Sequence, residues 1–271
     1  MTIAALIDGQ APQDLRRAIA LNDRGFNYGD GVFETATVRD GQVRFLDAHL
    51  RRLAAGCQRL GMPGPNEDTL RAEIQQTCAS LRSAVLKIVV TRGIGERRGY
   101  RPDAEPHPTR IVAVYPAPEA IKPEAALRWC DTRLGRNPQL AGVKHLNRLE
   151  QVLAQSEWRD PAIDEGLMLD TEGELVCATA SNVFIVRDGV LLTPDLRFCG
   201  VRGVMREQVL RAAQQAGLAA SEEPLWPHDL ECASEVFITS AVRGVQPATS
   251  LGEIRWPSGP VASHLTKMLG L

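Results

Sequence analysis

The sequence lacks the features that would assign it quickly to a specialised class. Its formal net charge is only −2 over 271 residues, so no overall field favours nucleic acid or an acidic membrane surface. The five histidines are scattered and form no HExxH or related metal-ligand spacing, and no metal site is expected. The six cysteines (57, 78, 130, 177, 199 and 232) contain no CxxC pair and no regular framework, which points to a reduced, cytoplasmic compartment. The opening "MTIAALIDGQ" has no basic region followed by a long apolar run, so neither a signal peptide nor a membrane anchor is expected there. Internal repeats and low-complexity tracts are missing as well. What is present is 44% hydrophobic and 24% charged residues, the profile of a globular chain with a real core and room for one large domain or two modest ones.

Short strands and helices mix without a regular βαβ alternation. "VFETATVRDGQVRFL" reads as strand–turn–strand about Asp40-Gly41. "DAHLRRLAAGCQRLGM" reads as a helix with Asp47 as N-cap and Gly61 near its stop, and a second helix is predicted over 68–81. "AVLKIVVTRG" and "RIVAVYPA" read as buried strands. The proline-rich "YPAPEAIKPEAA" is the best candidate for an interdomain linker. Beyond it, turns at Glu172-Gly173 and Asp188-Gly189 suggest a β-meander, followed by a helix in "VRGVMREQVLRAAQQAGL", a strand in "SEVFITSAV" and a final short helix. The expectation is an α+β protein with a small N-terminal domain over 1–116, a linker over 117–124, a larger domain over 125–271, and a cleft between the domains.

Four stretches invite a chemical reading beside a structural one. In "GVKHLNRLEQVLAQSEW", Leu146, Leu149, Val152 and Leu153 fall at helical spacing, with Arg148, Glu150 and Gln151 free to face water. Lys144 at its entrance is either a solvated charge or a nucleophile held at the mouth of a cleft. In "RGFNYGDGVFET" three glycines within seven residues indicate close backbone approach or positive φ, or a plain tight loop. "GVRGVMRE" sets glycines before a helix, where amide N–H groups can hold an anion or bind nothing. "FITSAVRGVQP" ends a strand in Thr239 and Ser240, hydroxyls suited to phosphate oxygens or to an ordinary polar strand end. A lysine, a helix bearing Arg51 and Arg52, a glycine-rich helix start and paired hydroxyls are together what pyridoxal phosphate needs, as a Schiff-base cofactor gripped by its phosphate.

With "YGDGVFET", "HLRRL", "TRG", "SNVF", "LLTP" and "GVMRE" in this order, nearly the whole chain resembles the fold-type IV pyridoxal-phosphate enzymes. These include branched-chain and D-amino-acid aminotransferases and aminodeoxychorismate lyases. "RLGRNPQLAGVKHLNRLEQVLA" and "RRGY" are similar to the lyases specifically. The resemblance implies a two-domain, D-amino-acid aminotransferase-like fold, pyridoxal 5'-phosphate as cofactor, and a homodimer. Lys144 would form the Schiff base and act as acid–base catalyst. Arg52, in the H-x-x-R-L pattern begun by His49, would bind the phosphate. The amides of Val204 and Met205 match the phosphate-binding helix start, Thr239 or Ser240 the strand-end contact, and Asn182 the cofactor-site strand. Tyr28 and Arg98 are candidates for substrate contact, Arg98 for a carboxylate. The implied reaction converts 4-amino-4-deoxychorismate into 4-aminobenzoate and pyruvate, a step of folate biosynthesis. A D-amino-acid or branched-chain aminotransferase, or a non-catalytic binding protein of the same fold, are the alternatives.

One position departs from the pattern. Where most of the superfamily carries a glutamate facing the pyridine nitrogen, five residues before the "SN" asparagine, this chain has Cys177. Glu174 or another acid could substitute, a Cys177 thiolate could pair with the ring, or the enzyme could work with a weaker electron sink. The last suits a lyase, whose product gains aromaticity, better than a transaminase.

Overall fold

The computed structural model describes residues 2–96 and 98–271. Arg97, the first arginine of "RRGY", lies outside the described residues. Two compact units are present, Met1–Glu119 with Val143–Asn147, and Ala120–Gly142 with Arg148–Leu271. Residues 117–124 carry no helix or strand.

The first unit contains β1 (Ala4–Ile7), α1 (Arg24–Tyr28), β2 (Gly31–Arg39), β3 (Gln42–Val43), α2 (Leu46–Arg59), α3 (Glu67–Cys78), β4 (Ser83–Thr91) and β5 (Arg110–Pro116). Its sheet runs β1-β5-β4-β2-β3, every pair antiparallel. Strict alternation in β4 buries Ala84, Leu86, Ile88 and Val90 on one face, and these pack with Leu50, Leu53, Leu70 and Ile74 of α2 and α3. The hairpin predicted at Asp40-Gly41 forms, with Val38 opposite Val43. Both turn residues have positive φ (47° and 75°), as a two-residue turn matched to strand twist requires. Asp47 does not cap α2. That helix begins at Leu46 behind Phe45 with no side-chain cap bond, and Asp47 instead accepts from Arg71 of α3 at 2.6 Å. Helix α3 is capped by Asn66, which accepts from the Thr69 amide at 2.9 Å, and ends at Cys78, short of the predicted 81.

The second unit contains β6 (Ala125–Trp129), α4 (Leu149–Gln155), β7 (Glu165–Leu169), β8 (Leu175–Ala178), β9 (Asn182–Arg187), β10 (Val190–Pro194), α5 (Val204–Gln215), β11 (Ala220–Glu223), α6 (Pro227–Glu231), β12 (Glu235–Ser240), β13 (Gly244–Leu251), β14 (Ile254–Arg255) and α7 (Pro260–Met268). The sheet order is β11-β10-β9-β12-β13-β6-β7-β8, with β14 on β13. Strands β7, β8 and β9 are buried almost throughout because both sheet faces are covered, so they read as apolar runs rather than alternations. Helices α5 and α7 cover one face over Phe184, Phe237 and Val245. The β-meander expected over this region is two separate hairpins. β7 pairs β8 and β9 pairs β10, but β12, about fifty residues later in the chain, takes the other edge of β9. The amphipathic stripe predicted after Lys144 is inverted: α4 starts only at Leu149, and Leu149, Val152 and Leu153 are exposed while Ala154 is buried.

Candidate functional site

Lys144 belongs to the first unit and to no helix. Its carbonyl accepts from the Phe33 amide at 3.0 Å, the Leu146 amide donates to Gly31 at 2.9 Å, and His145 bridges to Val32 in antiparallel sense. The lysine segment is thus a short extra pairing on β2, which fixes where its side chain starts. The Lys144 ammonium lies 4.3 Å from the centre of the Phe33 ring, and the residue is half-buried rather than projecting into solvent.

This docking explains the glycine-rich stretch ahead of β2. A side chain on Gly31 would meet the Val90 carbonyl at 2.4 Å and Leu146 at 2.9 Å. Gly29 sits at φ +64° as the C-cap of α1, and a Cβ there would lie 2.6 Å from the Asn147 amide oxygen. Asn147 in turn donates to the Gly29 carbonyl at 3.1 Å. Of the two sequence readings, close backbone approach with positive φ holds, and the approaching segment is the one carrying Lys144.

Arg52 stands on α2 with His49 one turn before it. Alternation in β2 places Glu34 on the core face with Val32, Ala36 and Val38, where a carboxylate must be paired. Glu34 accepts from Arg52 Nε at 2.7 Å and Nη2 at 2.6 Å, and lies 2.6 Å from His49 Nδ1. Burial pushes the Glu34 carboxyl up, but the Arg52 guanidinium and His49 together outweigh it and hold the group below its usual range. Sequence reasoning missed Glu34, although a single acid on the apolar face of a β-strand was a usable signal.

Of the two substrate-contact candidates, Tyr28 ends α1 and touches the loop that carries Arg98. Tyr28 Oη accepts from the Gly99 amide at 3.2 Å, and its ring packs edge-on against Tyr100. Arg24 donates to the Gly99 and Tyr100 carbonyls at 3.1 and 2.7 Å and to Asp30 at 2.9 Å. Arg98 is exposed in this loop.

In the second unit, Asn182, Gly203, Val204 and Thr239 come together. Thr239 on β12 stands opposite Asn182 on β9, and Asn182 donates to the Val201 carbonyl at 2.9 Å. A Cβ on Gly203 would lie 2.1 Å from the Asn182 side-chain oxygen, so only glycine lets the helix start approach the strand this closely. Helix α5 begins at Val204 behind Gly203 with no side-chain cap, so the amides of its first turn lack intrahelical acceptors. The Thr239 hydroxyl is buried without a hydrogen-bond partner. Uncapped amides beside an orphaned buried hydroxyl fit a phosphate. Ser240 differs: its hydroxyl accepts from the Arg243 amide at 3.1 Å and serves the turn after β12.

Cys177 lies on β8 in a cluster with Cys130, Met168, Val176 and Cys199. Burial, reinforced by Cys199, pushes its thiol up to about 12. Burial therefore disfavours the thiolate form that could pair with a ring nitrogen. Glu174, the alternative acid, is engaged by Arg197 and Arg136 at 3.0 and 3.2 Å. A second buried acid escaped the sequence reading: Glu165 on β7 is fully buried and accepts from Thr179, with Gln155 at 3.3 Å and Ser181 at 3.5 Å. Its position at the head of an apolar strand was the available signal.

The cysteines allow a direct check. Cys57 and Cys78 are pushed by burial up to about 11, and Cys130, Cys177 and Cys199 up to about 12, whereas Cys232 is exposed. Iodoacetamide at pH 8 is expected to add one adduct to the native chain within minutes, at Cys232, and six after denaturation, read by intact mass. Rapid native labelling of Cys177 would show that its thiol is neither neutral nor sheltered.

A family model described as amino-transferase class IV matches residues 31–251. The chain belongs to that family. Its fold is the α+β, fold-type IV arrangement expected, and the family's cofactor is pyridoxal 5'-phosphate. An aminodeoxychorismate lyase of Vibrio harveyi is 33% identical over 91% of this chain and 94% of its own length. A putative branched-chain-amino-acid aminotransferase of Methanocaldococcus jannaschii is 32% identical over 89% of this chain and 85% of its own. The crystal structure of 4-amino-4-deoxychorismate lyase from Pseudomonas aeruginosa superimposes with a TM-score of 0.92 at 42% identity, covering 98% of this chain and 97% of that one. This class IV chain is thus similar to lyases and aminotransferases alike. Among its described residues no helix is long and apolar enough to cross a membrane, and no group of His, Cys, Asp and Glu could hold a metal ion.

Proposed function

We propose that this class IV enzyme is a lyase that converts 4-amino-4-deoxychorismate into 4-aminobenzoate and pyruvate, supplying 4-aminobenzoate for folate in the cytoplasm. The observation that carries this reading is a buried thiol, Cys177, whose ionisation burial disfavours, at the position where the resemblance expects a charged acid. A weak electron sink handicaps transamination more than a reaction whose product becomes aromatic. The similarity to lyases from two organisms supports the same reading.

Each unit by itself offers residues suited to the cofactor. In the first, Arg52 would bind its phosphate and Lys144 would carry its aldehyde; in the second, the first amides of α5 at Val204 and Met205, with Thr239, would bind a phosphate, and Asn182 would support the strand beside it. When bound, pyridoxal 5'-phosphate supplies a carbonyl that condenses with amines and a ring that accepts electrons. Lys144, as a free amine, would take the proton from the ring carbon bearing nitrogen and return one to the methylene carbon of the departing enolpyruvyl group. The ether C–O bond would break as the ring becomes aromatic. Atoms balance without an oxidant, reductant or water. Arg98, with Tyr28 shaping its loop, would meet a substrate carboxylate.

Exposed Leu21, Phe26 and Tyr100 of the first unit, and Leu149, Val152 and Leu153 of the second, support a homodimer.

The test is to supply the cofactor-loaded protein with 4-amino-4-deoxychorismate, and separately with D-alanine or a branched-chain amino acid plus 2-oxoglutarate. Equimolar 4-aminobenzoate and pyruvate from the first mixture is the expected result. Transfer in the second at a higher kcat/KM would assign an aminotransferase instead, and inactivity in both a binding protein.

A further inference from the structure

We infer that Glu34 is a positioning residue that aims the Arg52 guanidinium at the cofactor phosphate. The inference rests on the cofactor reading above and deepens it.

The argument begins with an acid in an unfavourable place. Glu34 occupies the core face of β2 between Val32 and Ala36 and is only 1% exposed. Burying a carboxylate costs several kcal/mol, roughly what its pairing returns, and apolar residues of similar volume usually stabilise a core as well or better. Stability alone therefore gives little reason for this pair. Geometry gives one. Two parallel bonds, from Arg52 Nε at 2.7 Å and Nη2 at 2.6 Å, fix both the position and the plane of the guanidinium. His49, also 1% exposed, holds the carboxylate from the other side at 2.6 Å, and its Nε2 is buried without a partner. The imidazole thus makes one bond and no other, which suits a strut for Glu34.

The same strand does a second job. The Phe33 amide, one residue away, holds the Lys144 carbonyl at 3.0 Å, and Gly31 accepts from Leu146 at 2.9 Å. Strand β2 therefore sets the origin of the lysine through residues 31 and 33, and the orientation of the arginine through residue 34. An arginine on a long flexible stem loses rotamer freedom when it grips a phosphate, and a preset fork lowers that cost.

The experiment compares two probes on the cofactor-free protein, pyridoxal 5'-phosphate and pyridoxal, which differ only in the phosphate. For E34Q the affinity for pyridoxal 5'-phosphate is expected to fall about 10- to 100-fold, the usual scale for loss of a supporting partner, and that for pyridoxal by less than about 3-fold. In an R52Q background the E34Q substitution should add no further loss, because Glu34 acts through Arg52. Equal weakening of both probes would mean a merely structural role and would overturn the inference, as would unchanged affinity for pyridoxal 5'-phosphate. Should E34Q not fold, E34D asks the same question, since its shorter carboxylate keeps the charge but cannot span both guanidinium nitrogens. The same selective loss is expected of it, and the same two outcomes overturn the inference. A wild-type chain that binds neither probe refutes the cofactor reading itself, and this inference with it.

Discussion

Replacing Lys144 by alanine is expected to lower turnover of 4-amino-4-deoxychorismate by about 10⁴-fold or more, and to abolish borohydride-stable attachment of the cofactor to the chain. Two contributions are lost together. Covalent capture divides a difficult step into easier ones, and a positioned acid–base contributes about 10²–10⁴ by itself. The fold should survive. Lys144 is anchored through its backbone, by its carbonyl to Phe33 and through Leu146 to Gly31, bonds that a change of side chain leaves in place. Far-ultraviolet circular dichroism and thermal midpoint are therefore expected to stay close to wild type. Turnover by K144A within tenfold of wild type would remove the lysine from the mechanism.

Arg52→Ala is expected to produce the second largest effect, and to do so on two measurements at once. In the proposed site, loss of the guanidinium would remove charge-assisted hydrogen bonds to the cofactor phosphate, each worth about 1.5–3 kcal/mol, so affinity for pyridoxal 5'-phosphate should drop roughly 100-fold. It also leaves Glu34 buried with His49 as its remaining partner, and uncompensated buried charges cost about 3–5 kcal/mol. The stability loss carries a pH signature. In the wild-type chain the folded-state Glu34 carboxyl is held below its ordinary value of 4.5, chiefly by Arg52 acting against burial. A depressed carboxyl contributes stability that is present above the unfolded-state value and is lost as pH falls through the folded-state one. The difference in denaturant midpoint between wild type and R52A should thus be full at pH 7 and shrink progressively below about pH 4.5. A gap that is constant down to pH 3 would show that Glu34 draws no stabilisation from Arg52.

These two residues mark how far the sequence could be read. Lys144 and Arg52 are legible because their chemistry is local: a lysine in a long patterned stretch, and an arginine three residues after a histidine on a helix. The Asp40-Gly41 hairpin is legible for the same reason, since two left-handed residues specify a tight turn wherever they occur. Glu34 is different. Its place in step with Val32, Ala36 and Val38 in "VFETATV" marks an acid on an apolar face, but only the packing of α2 on β2 makes it the partner of both His49 and Arg52. Glu165 likewise gains its meaning from Thr179, Ser181 and Gln155, which lie 10 to 16 residues along the chain and meet it only through strand pairing and the return of α4. The apolar stripe of α4 shows the converse error. Periodicity identifies an apolar face but not what covers it, and Leu149, Val152 and Leu153 remain exposed.

By itself, the order of residues determined the class of the protein, the turns, most helices and strands, and the identity of the amine and guanidinium that the proposed chemistry uses. Each of these depends on interactions within a few residues, or on side chains whose reactivity is intrinsic. Tertiary structure alone decided that β12 rather than β8 lies beside β9, that the glycines of residues 25–31 admit the Lys144 segment, that Thr239 and not Ser240 is left with an unmet hydroxyl, and that Cys177 is a core thiol. Those outcomes depend on which distant backbones come close enough to exclude water, and nothing in a linear pattern encodes that distance.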